Sequence, residues 1–152
     1  MKFLDKKWPK VREYDSGHSD FGSLTPYVEY EDLFTVSGMT ILDSKYIGDY
    51  QGDLVLILRS PEGKEVPSLG ISLFGYGSCS GCDALQAAMY NEEQMESLRE
   101  SLLSDVDWFS SAQEALDFLG SEEFRGRWQY GSGEAVSWLK EKLSAMALNH
   151  DQ

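Results

Sequence analysis

A chain of 152 residues, 41% hydrophobic and 26% charged, can enclose one substantial core but not two independent catalytic domains. It carries 26 Asp and Glu against 13 Lys and Arg, a formal net charge of -13. A surface of that sign repels phosphate backbones at long range, which argues against direct binding of DNA or RNA and for a partner with a basic surface.

Residues 1–24 mix basic residues with Gly17, Gly22 and several serines and hold no sustained period. They read as a loosely ordered arm whose Trp8, Tyr14 and Phe21 dock on the body, and residues 25–152 read as a single α+β domain. The basic start from Met1 to Pro9 has no continuous apolar stretch behind it, so no secretory signal is expected. Strand signals run from Tyr27 to Tyr76. Thr40 to Ile47 is β-prone, and Gly48-Asp49-Tyr50-Gln51-Gly52 punctuates it before the apolar run Leu54 to Leu58. That run suits a central strand buried on both faces, and it falls far short of the roughly 18 residues of a membrane span. Ser60-Pro61-Glu62-Gly63-Lys64 has the composition of a tight turn, after which Gly70 to Tyr76 returns as an antiparallel neighbour.

Beyond Gly77 the period changes from two to 3.6. Asn91 with Gln94 forms a capping pair for a first helix, with Met95, Leu98 and Leu102 on one side and Glu92, Glu93, Glu96 and Glu100 largely on the other. A second helix opens on Ser111 with Glu114 three residues later, carries Ala115, Leu116 and Leu119, and ends at Gly120. A third spans about Gly133 to Ala147, striped by Val136, Leu139, Leu143 and Met146. Val106 to Phe109 and Arg127 to Tyr130 read as short strands or aromatic-rich loops. The expected fold is α+β: an antiparallel three- to four-stranded sheet from the N-terminal half, covered on one face by helices from the C-terminal half.

From Asp83 to Glu123 there are eleven acids against Arg99 alone, ten of the thirteen excess negative charges. The plainer account is a solvated helix face that maintains solubility. The sharper account makes Glu92, Glu93, Glu96, Glu100, Asp105 and Asp107 a docking face for a basic partner, or an imitation of the spaced charges of nucleic acid.

The chain's one conspicuous motif is Gly75-Tyr76-Gly77-Ser78-Cys79-Ser80-Gly81-Cys82-Asp83-Ala84-Leu85-Gln86, where a strand ends and a helix begins. Its glycines permit close backbone approach, and amides at a helix start carry partial positive charge. Three chemistries suit that setting. A C-x-x-C pair lowers the pKa of its leading thiol, Cys79, for redox work, although the flanking segments lack a thioredoxin-like β-α-β frame. Cys79 and Cys82 could contribute to a zinc site, for which the chain offers only His18, His150 and carboxylates as further ligands. Thirdly, Tyr76, Gly77, Ser78, Cys79, Ser80, Gly81 and Cys82 could hold a small anionic, nucleotide-like ligand, although no phosphate-loop lysine follows. The plainest alternative is a tight turn whose cysteines pack as small hydrophobes. No base and orienting acid accompany the thiols, so no catalytic residue is assigned, and no cofactor is called for.

The stretch Asp49-Tyr50-Gln51-Gly52-Asp53-Leu54-Val55, the Gly75 to Gln86 string and the segment from Leu102-Leu103 to Trp108-Phe109 together resemble a family of small, uncharacterised proteins encoded mainly by bacteriophages and prophages. The resemblance spans about Asp49 to Leu119. It implies an accessory protein acting in a bacterial cytoplasm, where a permanent disulfide is not expected. Small acidic phage proteins commonly act by occupying a host protein, including nucleic-acid-binding defence complexes such as CRISPR effectors. The resemblance therefore implies an inhibitor of a host protein with a basic surface.

Overall fold

The computed structural model describes residues 13–14, 25–26, 29–48, 51–61, 69–77, 83–88, 92–121 and 133–150. The architecture is α+β, built on an antiparallel sheet. Two short strands, β1 (Glu13–Tyr14) and β2 (Thr25–Pro26), pair with each other. The main sheet has the order β3 (Thr40–Gly48), β4 (Gly52–Arg59), β5 (Leu69–Tyr76) and β6 (Asp107–Phe109), antiparallel throughout. The rest of the expected arm over residues 1–24, the turn after Pro61 and the Arg127 to Tyr130 segment lie outside the described residues.

The core is organised by β4. Its Leu54, Val55, Leu56, Ile57 and Leu58 are all fully buried, and because successive strand residues point to opposite faces, they feed two separate cores. Leu54, Leu56 and Leu58 pack with Tyr30, Leu33 and Phe34 of α1 (Tyr30–Thr35), Leu85 and Ala88 of α2 (Ala84–Ala88), and Met95, Leu102 and Leu103 of α3 (Glu92–Ser104). Val55 and Ile57 pack with Ala115 and Leu119 of α4 (Ala112–Leu119) and with Trp138, Leu139 and Leu143 of α5 (Gly133–His150). The helices therefore cover both faces of the sheet, not one. A strand with no polar side leaves apolar surface on either face, and burial of each such side chain is worth about 1.5–3 kcal/mol.

One further local reading changes and another is resolved. Tyr30–Thr35, inside the region of strand signals, is a helix. The Asp32 carboxylate accepts the Glu29 N–H at 2.8 Å, and Tyr30, Leu33 and Phe34 fall on one side of the turn and enter the core. Of the two alternatives for Val106 to Phe109, the short strand forms: its last three residues are the edge strand β6, with Trp108 directly across from Gly70. The expected α4 forms as read: the Ser111 hydroxyl accepts the Glu114 N–H at 3.1 Å. The Glu114 carboxylate in turn accepts the Ser110 N–H and hydroxyl, which hold it below the usual carboxylate range. Gly120 does close the helix, but with φ -90 and no left-handed turn.

The β3–β4 hairpin is where glycine is obligatory. Gly48 has φ +108, and a Cβ on Gly52 would lie 1.8 Å from the Ile47 carbonyl oxygen. A Cβ on Gly120 would come no closer than 3.7 Å to its nearest neighbour, the Asp117 carbonyl oxygen. Gly52→Ala is expected to cost more than about 2 kcal/mol of unfolding free energy, whereas Gly120→Ala should be neutral or stabilising by up to about 1 kcal/mol. Urea denaturation of the two variants beside the parent measures both.

Candidate functional site

The end of β5 and the start of α2 are joined through one buried carboxylate. Asp83 precedes α2 and is 4% exposed. Its Oδ2 accepts the Gln86 N–H at 3.0 Å, and its backbone carbonyl accepts the Ala87 N–H at 3.0 Å, so it caps the helix. Its Oδ1 accepts the Gly77 N–H at 2.9 Å from the end of β5 and the Tyr30 hydroxyl at 2.6 Å from α1. The Tyr30 oxygen itself accepts the Leu85 N–H at 3.2 Å. Three elements thus meet at one residue, with each Asp83 oxygen and the Tyr30 hydroxyl satisfied.

Tyr30 is held in the network by its ring as well, which lies 4.9 Å from the Phe74 ring, while Phe34 stacks on the same Phe74 at 6.2 Å. Burial, followed by the hydrogen bond to Asp83, pushes the Tyr30 phenol well above its ordinary value. The neutral phenol is the form that can donate to a carboxylate.

This arrangement bears directly on the anion-binding reading of the glycine-cysteine motif. Asp83 places a negative charge where an anion would sit at the start of α2, and it already takes the amides of Gly77 and Gln86. Tyr76 is half-buried, its ring 5.4 Å from that of Tyr46 at an interplanar angle of 76°. Ser78, Cys79, Ser80, Gly81 and Cys82 lie outside the described residues, as do His18 and Asn91. Among the described residues no group of three or more His, Cys, Asp or Glu is placed to hold a metal ion, and no helix is long and apolar enough to cross a membrane.

The acidic residues of the linear stretch do not form one surface. Glu93, Glu100 and Asp105 are exposed at α3 and just beyond it, and the backbone of Glu92 begins that helix. Glu96 is half-buried and pairs at 2.5 Å with Arg99, whose side chain is fully buried and reaches Ser37 Oγ at 3.4 Å, close to the C-terminal end of α1. Asp107 lies across from Ile71, on the opposite side of the sheet from α3. Glu114 and Asp117 of α4 belong to that opposite layer too. In exchange, α1 brings Glu31 and Asp32 into the layer of α3, which it touches. Sequence reading passed over those two because the segment looked like a strand; the Glu29 to Asp32 capping spacing was the signal available.

No family model matches the chain, and neither a curated protein nor a solved structure matches it.

Tyr30→Phe removes the donor to Asp83 and leaves the Leu85 N–H without its acceptor, so it should lower stability by about 1–3 kcal/mol. The sign of the pH effect follows from the raised native pKa. Above the ordinary value of 10.0 the unfolded phenol loses its proton while the native one keeps it, so the parent loses stability as pH rises beyond that point. The stability difference between parent and Tyr30→Phe should therefore shrink from pH 9 to pH 11, as read by denaturant midpoints at each pH; a constant difference contradicts the network.

Proposed function

We propose that this chain is a small acidic accessory protein of the phage type that binds and inhibits a host protein with a basic surface. A nucleic-acid-binding defence complex, occupied in the manner of an anti-CRISPR or nucleic-acid mimic, is the class of target that fits. One observation carries the reading. The described side chains of α1, α2 and α3 include the carboxylates of Glu31, Asp32, Glu93, Glu96 and Glu100, and their only cation, Arg99, is fully buried. The layer on the other face of the sheet is mixed: Glu114, Asp117, Glu134 and Glu141 stand with Lys140 and Lys142, and Lys142 and Lys45 pair with Asp43 and Glu134 across the α5–β3 seam. Among the described residues negative charge is thus concentrated on one side, an arrangement that speeds encounter with a basic surface and orients the encounter complex.

The alternative of an anionic, nucleotide-like ligand at the turn has weaker support, because Asp83 competes for the same amides. A thiol or zinc function for Cys79 and Cys82 makes a separate prediction.

The triple variant Glu93→Lys, Glu100→Lys, Asp105→Lys changes exposed side chains only. It is expected to abolish capture of the host target in pull-downs from bacterial lysate, and the parent's capture should fade as salt rises toward about 1 M, where the screening length falls to about 3 Å. Added duplex DNA should displace the captured target. Retention of the target by the triple variant rejects the proposal. The double variant Cys79→Ser, Cys82→Ser should capture and inhibit as the parent does; loss of function there transfers the activity to thiol or metal chemistry.

A further inference from the structure

Gly70 and Trp108 face each other across β5 and β6 in an arrangement that the backbone does not require. Gly70 is paired on both sides, with Leu58 of β4 and with Trp108 of β6, and it is not one of the described glycines with positive φ, which are Gly38 and Gly48. What excludes a side chain there is the tryptophan. A Cβ on Gly70 would lie 2.8 and 3.0 Å from Cζ3 and Cε3 of the Trp108 ring, and 2.8 Å from Val106 Cγ1. The six-membered part of the indole thus lies over the glycine, on the face of the sheet that carries Leu58 and is covered by α1, α2 and α3. A glycine inside a strand weakens it, and its use here gives the ring a seat.

A tryptophan seated only to complete the core would be covered. Trp108 is 37% exposed, although Val106 and Phe109 on either side of it are buried, and Ser104, Asp105 and Ser110 around it in the chain are exposed too. An aromatic side chain positioned before binding loses little conformational freedom on contact, which is one reason tryptophan is prominent among the residues that dominate interface energies. Indole is also the aromatic ring that attracts a cation most strongly. The charge around it selects that kind of visitor: exposed Asp105 is three residues away, and exposed Glu93 and Glu100 lie on α3 of the same layer.

We propose that Trp108, seated on Gly70, is the aromatic anchor on which a lysine or arginine side chain of the basic partner docks. The carboxylates of the layer attract the partner, and the indole at its β6 edge fixes where contact is made. The inference rests on the basic-partner reading and adds to it a located contact.

Nuclear magnetic resonance of the isotope-labelled full chain, titrated with nona-arginine at low salt, tests it. The Trp108 indole N–H signal, identified by its loss in Trp108→Phe, is expected to shift as peptide is added, while that of the buried Trp138 stays in place. Trp108→Ala should weaken peptide binding by about two- to fivefold, and Gly70→Ala, which displaces the ring without removing it, should do the same. Glu141→Gln, in the opposite layer, should leave the affinity unchanged. Should the melting temperature of Trp108→Ala or Gly70→Ala fall, the indole signal of the parent carries the test. A peptide that binds without moving the Trp108 signal more than that of Trp138 overturns the anchor, and so does undiminished affinity in Trp108→Ala. If the anchor fails while the Glu93, Glu100 and Asp105 reversal still abolishes peptide binding, the charged face stands without it. Failure of the parent to bind the peptide removes both.

Discussion

A strand with no polar side imposes a second layer on any sheet that contains it. Leu54, Leu56 and Leu58 point to one face and Val55 and Ile57 to the other, all fully buried, so the sheet must be enclosed twice. The short helices α1 and α2 and the long α3 close the first face; α4 and α5 close the second. Much of the rest follows from that division, including which acids share a surface and which are separated by the thickness of the protein.

The first face is held in position by polar groups at two points. Asp83 ties the end of β5, the start of α2 and Tyr30 of α1 into one network. Arg99 runs from α3 to Ser37 beyond α1 while paired with Glu96. A buried guanidinium is costly unless paired, and removing one partner of such a pair commonly costs about 3–5 kcal/mol. Both devices place a charge inside the layer and leave its outer side to the remaining carboxylates. The negative surface and the internal order of this layer are therefore linked: the one cation among the described residues of α1, α2 and α3 serves the interior.

On the second face the same acidic sequence has a different outcome. Asp43 and Lys45 both lie on this side of β3, where a bulge at Leu42 sets the phase, and they meet Lys142 and Glu134 of α5. Such exposed pairs contribute little to stability. Their effect is to neutralise the seam, so among the described residues one side is acidic and the other mixed.

Several parts of this structure were legible in the amino-acid order alone. The glycine-bounded hairpin, the buried run of β4, the Ser111 cap of α4 and the stripe of α5 are local patterns, determined by backbone sterics, hydrogen bonding within a few residues and the periodicity of apolar side chains. The run from Leu54 to Leu58 even announced burial on both faces, although strands followed by helices suggested a single covering layer. Tertiary structure decided what depends on residues distant in the chain. Tyr30 lies 53 positions from Asp83, and Ser37 lies 62 from Arg99; no spacing rule links them, because their proximity is made by the folding of the sheet. The same holds for the charge. A count along the chain placed ten excess negative charges in one segment, but a sheet runs between α3 and α4, and only three-dimensional packing determines that Glu31 joins Glu93 and Glu100 while Asp107 and Asp117 do not.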